Sequence, residues 1–95
     1  MHIFEVIDKK GRTIYLTPDR WTHIVTRHPE LSNSIETIKQ IVLQPLFIVD
    51  DNIDSQIKYY HHFFKEIKMY LIVAVKYINR AGFVITAFYS KNRKK

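Results

Sequence analysis

Beyond Pro45 the chain abandons helical spacing and becomes a succession of β-branched and aromatic runs, at residues 46–49, 56–64, 68–78 and 82–90, separated by polar turn chemistry. Side chains of this kind fit a pleated, half-buried surface, so this part of the chain is committed to sheet. The longest apolar run, residues 70–75, suits a buried strand and falls far short of the roughly 20 residues that a membrane-spanning helix needs. No basic-then-apolar export signal opens the sequence. A chain of 95 residues supports one core, and two glycines and three prolines leave little room for disordered tails. The expectation is a single soluble, cytoplasmic domain over residues 1–95, with one biased segment, the basic stretch at 91–95.

The first half reads differently. Ile3, Glu5 and Ile7 alternate with Phe4 and Val6, Asp8-Lys-Lys-Gly11 makes a turn, and residues 13–17 return as the second strand of a hairpin. Thr17-Pro18-Asp19 then starts a helix, since threonine caps well, proline suits the first helical position and Asp19 complements the dipole. His28-Pro29 ends it. Ser32 or Asn33 caps a second helix, whose inward residues Ile35, Ile38, Ile41 and Val42 recur at three- and four-residue spacing until Pro45 stops it. The predicted class is α+β: an N-terminal hairpin and two helices packed on a twisted antiparallel sheet of about four strands. If Asn79-Arg-Ala-Gly82 is the last turn, Lys76 faces Ile85 and Val75 faces Thr86. Lys76 then shares a face with Tyr89, and Thr86 with Tyr77, unless a bulge or slip reverses the pairing.

Cysteine is absent, which excludes disulfides, thiolate catalysis and cysteine-based metal sites. The formal charge of +6 selects polyanionic partners, nucleic acid or an acidic protein. A membrane surface is disfavoured, because no amphipathic helix carries lysines around an exposed apolar face. His23, Arg27 and His28 fall within six residues, and imidazole beside guanidinium suits proton transfer at a phosphodiester. Each residue also has a plain reading. His28 serves equally well as a half-buried histidine at a helix end, His23 as a partner of Asp19, and Arg27 as an ordinary surface cation. Lys76 interrupts an apolar strand and needs a polar cleft or the sheet's end. Tyr59 and Tyr60 open the densest aromatic run, either core on one side or a stacking platform for unpaired bases. Asp50, Asp51 and Asp54 read as a polar turn rather than a metal site, and the adjacent His61 and His62 diverge on a strand.

The order of motifs, W-x-H-I-x-x-R-H-P-E-L at residues 21–31, a tyrosine pair, V-x-V-K ending at Lys76 and G-F-V-I-T-A at residues 82–87, resembles the small stand-alone nuclease-fold proteins of the phage barnase/EndoU/colicin/RelE-like group. The resemblance runs over residues 12–90, and His-Pro-Glu is its most specific piece. It implies a barnase/RelE-like helical layer on a sheet and metal-independent endoribonuclease chemistry without a cofactor. A toxin held in check by an antitoxin or inhibitor protein is the usual setting. Residue by residue it carries His28, His23, Lys76 and Thr86 as catalytic and Arg27 with Tyr59 or Tyr60 as substrate-binding, and Tyr89 is a further substrate-binding candidate. Relatives often end the last strand Thr-Ala-Tyr, whereas this chain has Thr86-Ala87-Phe88 and offers Tyr89 one position later, on the opposite face of a strand. That departure keeps two alternatives open: a non-catalytic RNA-binding domain, and a basic protein-interaction module.

Overall fold

Phe4 is buried and Val6 half-buried while Glu5 and Ile7 face solvent, the alternation of a strand with one face on a core. This strand, β1 (Phe4–Ile7), pairs with β2 (Thr13–Leu16) through a turn held by Asp8, whose carboxylate accepts from the amides of Lys10 and Arg12 at 2.9 Å. The computed structural model describes all of residues 1–95. Helix α1 (Pro18–Arg27) begins as its sequence dictates: Thr17 Oγ1 accepts from the Arg20 amide, with Pro18 at the first position. His28 leaves the helical region ahead of Pro29, and one 3-10 turn (Pro29–Leu31) buries Leu31. Helix α2 (Ile35–Leu43) then starts after Ser34, which makes no side-chain cap. Ser32 and Asn33 do not cap it, because the 3-10 turn draws the amides of Ser32 and Ser34 onto the carbonyls of Pro29 and Leu31.

Strands β3 (Phe47–Asp50), β4 (Ile57–Phe64), β5 (Met69–Ile78) and β6 (Ala81–Ser90) form the expected antiparallel meander. The sheet is nevertheless not an antiparallel one of about four strands. It is six-stranded and mixed, in the order β1-β2-β6-β5-β4-β3. The hairpin joins it edge-on, with β2 parallel to β6 from Thr13↔Ala81 to Tyr15↔Phe83. A parallel pair needs a long crossover, here everything between β2 and β6, and the pairing satisfies main-chain groups that both strands would otherwise leave open. Gly82 permits the junction: a Cβ there would lie 2.8 Å from Tyr77 and 3.1 Å from Ile14. Both helices bury one face of the sheet, where Ile24, Leu31, Ile38, Ile41 and Val42 meet Leu71, Val73, Val75, Val84 and Ala87. The other face carries no helix.

The last hairpin also differs from the sequence expectation. Its turn is the two residues Asn79 and Arg80, both at positive φ (52° and 70°), which matches the twist of the strands better than a longer loop. Lys76 therefore faces Phe83, not Ile85, and Val75 faces Val84, not Thr86. A bulge then interrupts the ladder, leaving Ile85 without a partner and setting Thr86 against Ala74. Lys76 shares its face with Thr86, while Tyr89, opposite Leu71, points to the core side with Tyr77.

Candidate nucleic-acid interface

Residues paired across strands point to the same face, so the register reads out the helix-free surface in rows. Val49, Tyr59, Ala74 and Thr86 make one row, and Ile57, Lys76, Phe83 and Tyr15 make the next. A third consists of Phe47, His61, Ile72 and Phe88. At about 4.8 Å between strands and 3.3 Å per residue, Tyr59 and Thr86 lie about 10 Å apart and Lys76 about 7 Å from the central row. The bulge creates this patch. Without it Thr86 would face Val73 and enter the core.

Helix α1 runs along the stretch of β6 that β2 is too short to cover. Arg20 donates to the Ile85 carbonyl at 3.5 Å, and the His28 ring lies 6.4 Å from that of Phe88. His28 thus stands at the margin of the helix-free face, with Nδ1 3.7 Å from Glu30. It does not meet Lys76: Phe88 pairs with Ile72, four residues along β5, roughly 13 Å away. His23 is half-buried and Arg27 exposed on α1, and His23 forms no ion pair with Asp19. Tyr59 lies on the open face, but Tyr60 does not. Tyr60 is 2% exposed and its hydroxyl bonds that of Tyr77, which donates to Asp8 at 3.3 Å. Half-buried Arg12 completes this chain, 2.9 Å from Asp8 and with its guanidinium 3.9 Å from the Tyr77 ring centroid. Tyr89 packs against the core beside Phe64.

The acidic loop before β4 is a polar turn, and it also does more. Asp51 accepts from the amides of Ile53 and Asp54, and Asp54 from that of Gln56, as turn carboxylates do. Their remaining oxygens reach the open face: Asp51 accepts from the Tyr59 hydroxyl at 2.8 Å and Asp54 lies 3.2 Å from the Lys76 ammonium. The Asp54 and Ile53 amides, then the Tyr59 hydroxyl, hold Asp51 below the ordinary carboxylate range. The Gln56 amide, then Lys76, do the same for Asp54. Burial, then Asp51, pushes Tyr59 up. This grip on Tyr59 and Lys76 leaves no mark in local spacing, since the β4–β5 register alone sets Ile57 opposite Lys76.

Two clefts of about 330 Å³ open elsewhere, one between α2 and β4 near His62, the other between Lys9, Lys10 and the end of α2. Neither includes His28, Lys76 or Thr86. No helix is long and apolar enough to cross a membrane. No family model, curated protein or solved structure matches this chain.

Proposed function

We propose that this protein is a metal-independent endoribonuclease whose substrate lies across the helix-free face of the sheet. The supporting observation is that Lys76, Thr86 and Tyr59 share adjacent rows of that face, with His28 at its margin beside Phe88. The resemblance around the His28, Lys76 and Thr86 motifs and the charge of +6 point the same way. RNA brings its own nucleophile, the 2′-hydroxyl, so the protein needs only proton transfer and cations for the charged phosphorane. His28 takes the proton-transfer role, with His23 as the alternative imidazole on the same helix. Arg27, on the same helix as His28, meets the scissile phosphate; Lys76, about 13 Å along the sheet, holds a neighbouring phosphate of the same strand, Thr86 lies between them, and Tyr59 stacks on a base. The setting that fits is the cytoplasm, where an acidic inhibitor or antitoxin would meet the same basic field.

A second reading, RNA binding without cleavage, is favoured by one observation. Phe88, which has no hydroxyl, fills the open-face position beside His28, while the Tyr89 phenol turns to the core side. One experiment separates the two. The purified protein and its His28→Ala and Lys76→Ala variants are incubated with a mixed RNA pool and chelator, and the ends are mapped. Cleavage leaving 2′,3′-cyclic phosphate and 5′-hydroxyl ends, lost in His28→Ala and weakened in Lys76→Ala, is expected. RNA that stays intact but bound selects the second reading, and RNA that is neither cut nor bound overturns both.

A further inference from the structure

Residues 91–95 do not lead away from the sheet. The Ser90 hydroxyl donates to the Asn92 carbonyl at 2.7 Å and accepts from the Asn92 amide at 3.2 Å, a local turn that reverses the chain. The segment then crosses the helix-free face at β3 and β4. The Arg93 guanidinium lies 4.1 Å from the Phe47 ring centroid, and the Lys94 ammonium 4.7 Å from that of Tyr59. The Lys94 amide donates to His61 Nε2 at 3.1 Å. His61 is fully buried, stacked on Phe47 at 4.4 Å and edge-on to Tyr70 at 5.8 Å. For Nε2 to accept, its proton must sit on Nδ1, which donates to the Tyr59 carbonyl at 3.0 Å.

We propose that residues 91–95 form a displaceable strap: in the free protein Arg93 and Lys94 occupy the ring faces of Phe47 and Tyr59, and unpaired bases of a single-stranded RNA take their place. The inference rests on the reading of the helix-free face as the RNA surface and extends it to β3. The exchange costs little. Stacking of a base on an aromatic ring is at least as strong as the cation–π contact it replaces, and the released cations gain phosphates. One main-chain hydrogen bond, from Lys94 to His61, is the tether.

The test uses the full chain, isotopically labelled, with a short oligouridylate whose 2′-positions are methylated so that it cannot be cut. In the free protein the Lys94 amide is protected from hydrogen exchange; saturation with the oligonucleotide abolishes that protection and shifts the Tyr59 and Phe47 ring signals. His61→Phe keeps the ring and the net charge but removes the acceptor, and is expected to bind the oligonucleotide roughly threefold tighter or more, because the open state no longer competes with a strapped one. A Lys94 amide still protected in the saturated complex overturns the strap while leaving the RNA face standing. If His61→Phe fails to fold, the wild-type exchange measurement decides alone. If neither protein binds the oligonucleotide, the RNA-face reading itself falls.

Discussion

Asp54 holds the Lys76 ammonium at 3.2 Å, so the cation that faces the open sheet is already paired within the protein. Both groups are about one-third exposed, a setting in which a phosphate competes on nearly equal terms. Asp54→Asn keeps the oxygen that accepts from Gln56 and removes only the charge. It is expected to raise affinity for single-stranded RNA roughly two- to fivefold at low salt, with the gain fading as salt is added. Fluorescence anisotropy reads this directly, and an unchanged affinity would separate Lys76 from the nucleic acid.

Gly82 sits where β2, β6 and β5 approach most closely, with Tyr77, Val75 and Ile14 around the missing Cβ. Ile14 and Val75 are fully buried and have no room to retreat. Gly82→Ala is therefore expected to destabilise the protein by about 1–3 kcal/mol through overpacking, seen as a lower urea midpoint.

The Tyr77 hydroxyl links that of Tyr60 to the Asp8 carboxylate inside the core face. Removing it strands Tyr60, which is nearly sealed from water. Tyr77→Phe should cost about 1–3 kcal/mol. The double variant Tyr60→Phe/Tyr77→Phe should cost less than the sum of the single changes, since the two hydroxyls serve each other. Additive losses in urea unfolding would show that the pair is not coupled.

Stability should fall at both ends of the pH scale. Burial first, with Arg93 acting in the same sense against hydrogen bonds to the Tyr59 and Phe47 backbone, holds His61 below its ordinary value of 6.5. As pH falls below that value the unfolded chain takes up a proton that the folded one refuses, so stability declines through the folded pKa. Asp8 adds a second loss below 3.8: burial raises its pKa, but hydrogen bonds from Arg12 and Lys10 outweigh that. At the alkaline end burial keeps the Tyr60 and Tyr77 phenols neutral while unfolded ones ionise, so stability drops as pH rises past 10.0. Urea midpoints from about pH 2 to about pH 11 should trace this plateau, and a decline that begins only at the Asp8 step in His61→Phe would assign the first step to His61.

The placement of the candidate residues divides along the same line as the fold. Helix α1 was legible because Thr17, Pro18 and Pro29 act on neighbours within one turn, and with it came the placing of His23, Arg27 and His28 on one short segment. Tyr59 and Tyr60 could be put on opposite faces by alternation, but not told apart, since which face is core depends on what packs there. Lys76 and Thr86 were placed in one hairpin, but with Thr86 opposite Val75 and on the other face from Lys76, whereas Thr86 lies opposite Ala74 on the same face as Lys76. The bulge at Ile85 shifts the register by one residue, and no local propensity records it.

By itself, then, the sequence determined the elements whose signals are short-range: the hairpin at Asp8–Gly11, the two ends of α1, the stop of α2 ahead of Pro45 and the β-rich half. Tertiary structure alone decided the parallel docking of β2 on β6, the bulge that turns Thr86 outward, the acidic loop's hold on Tyr59 and Lys76, and the strap over His61. Each of these joins groups far apart in the chain through hydrogen bonds and contacts whose geometry exists only once the sheet has assembled.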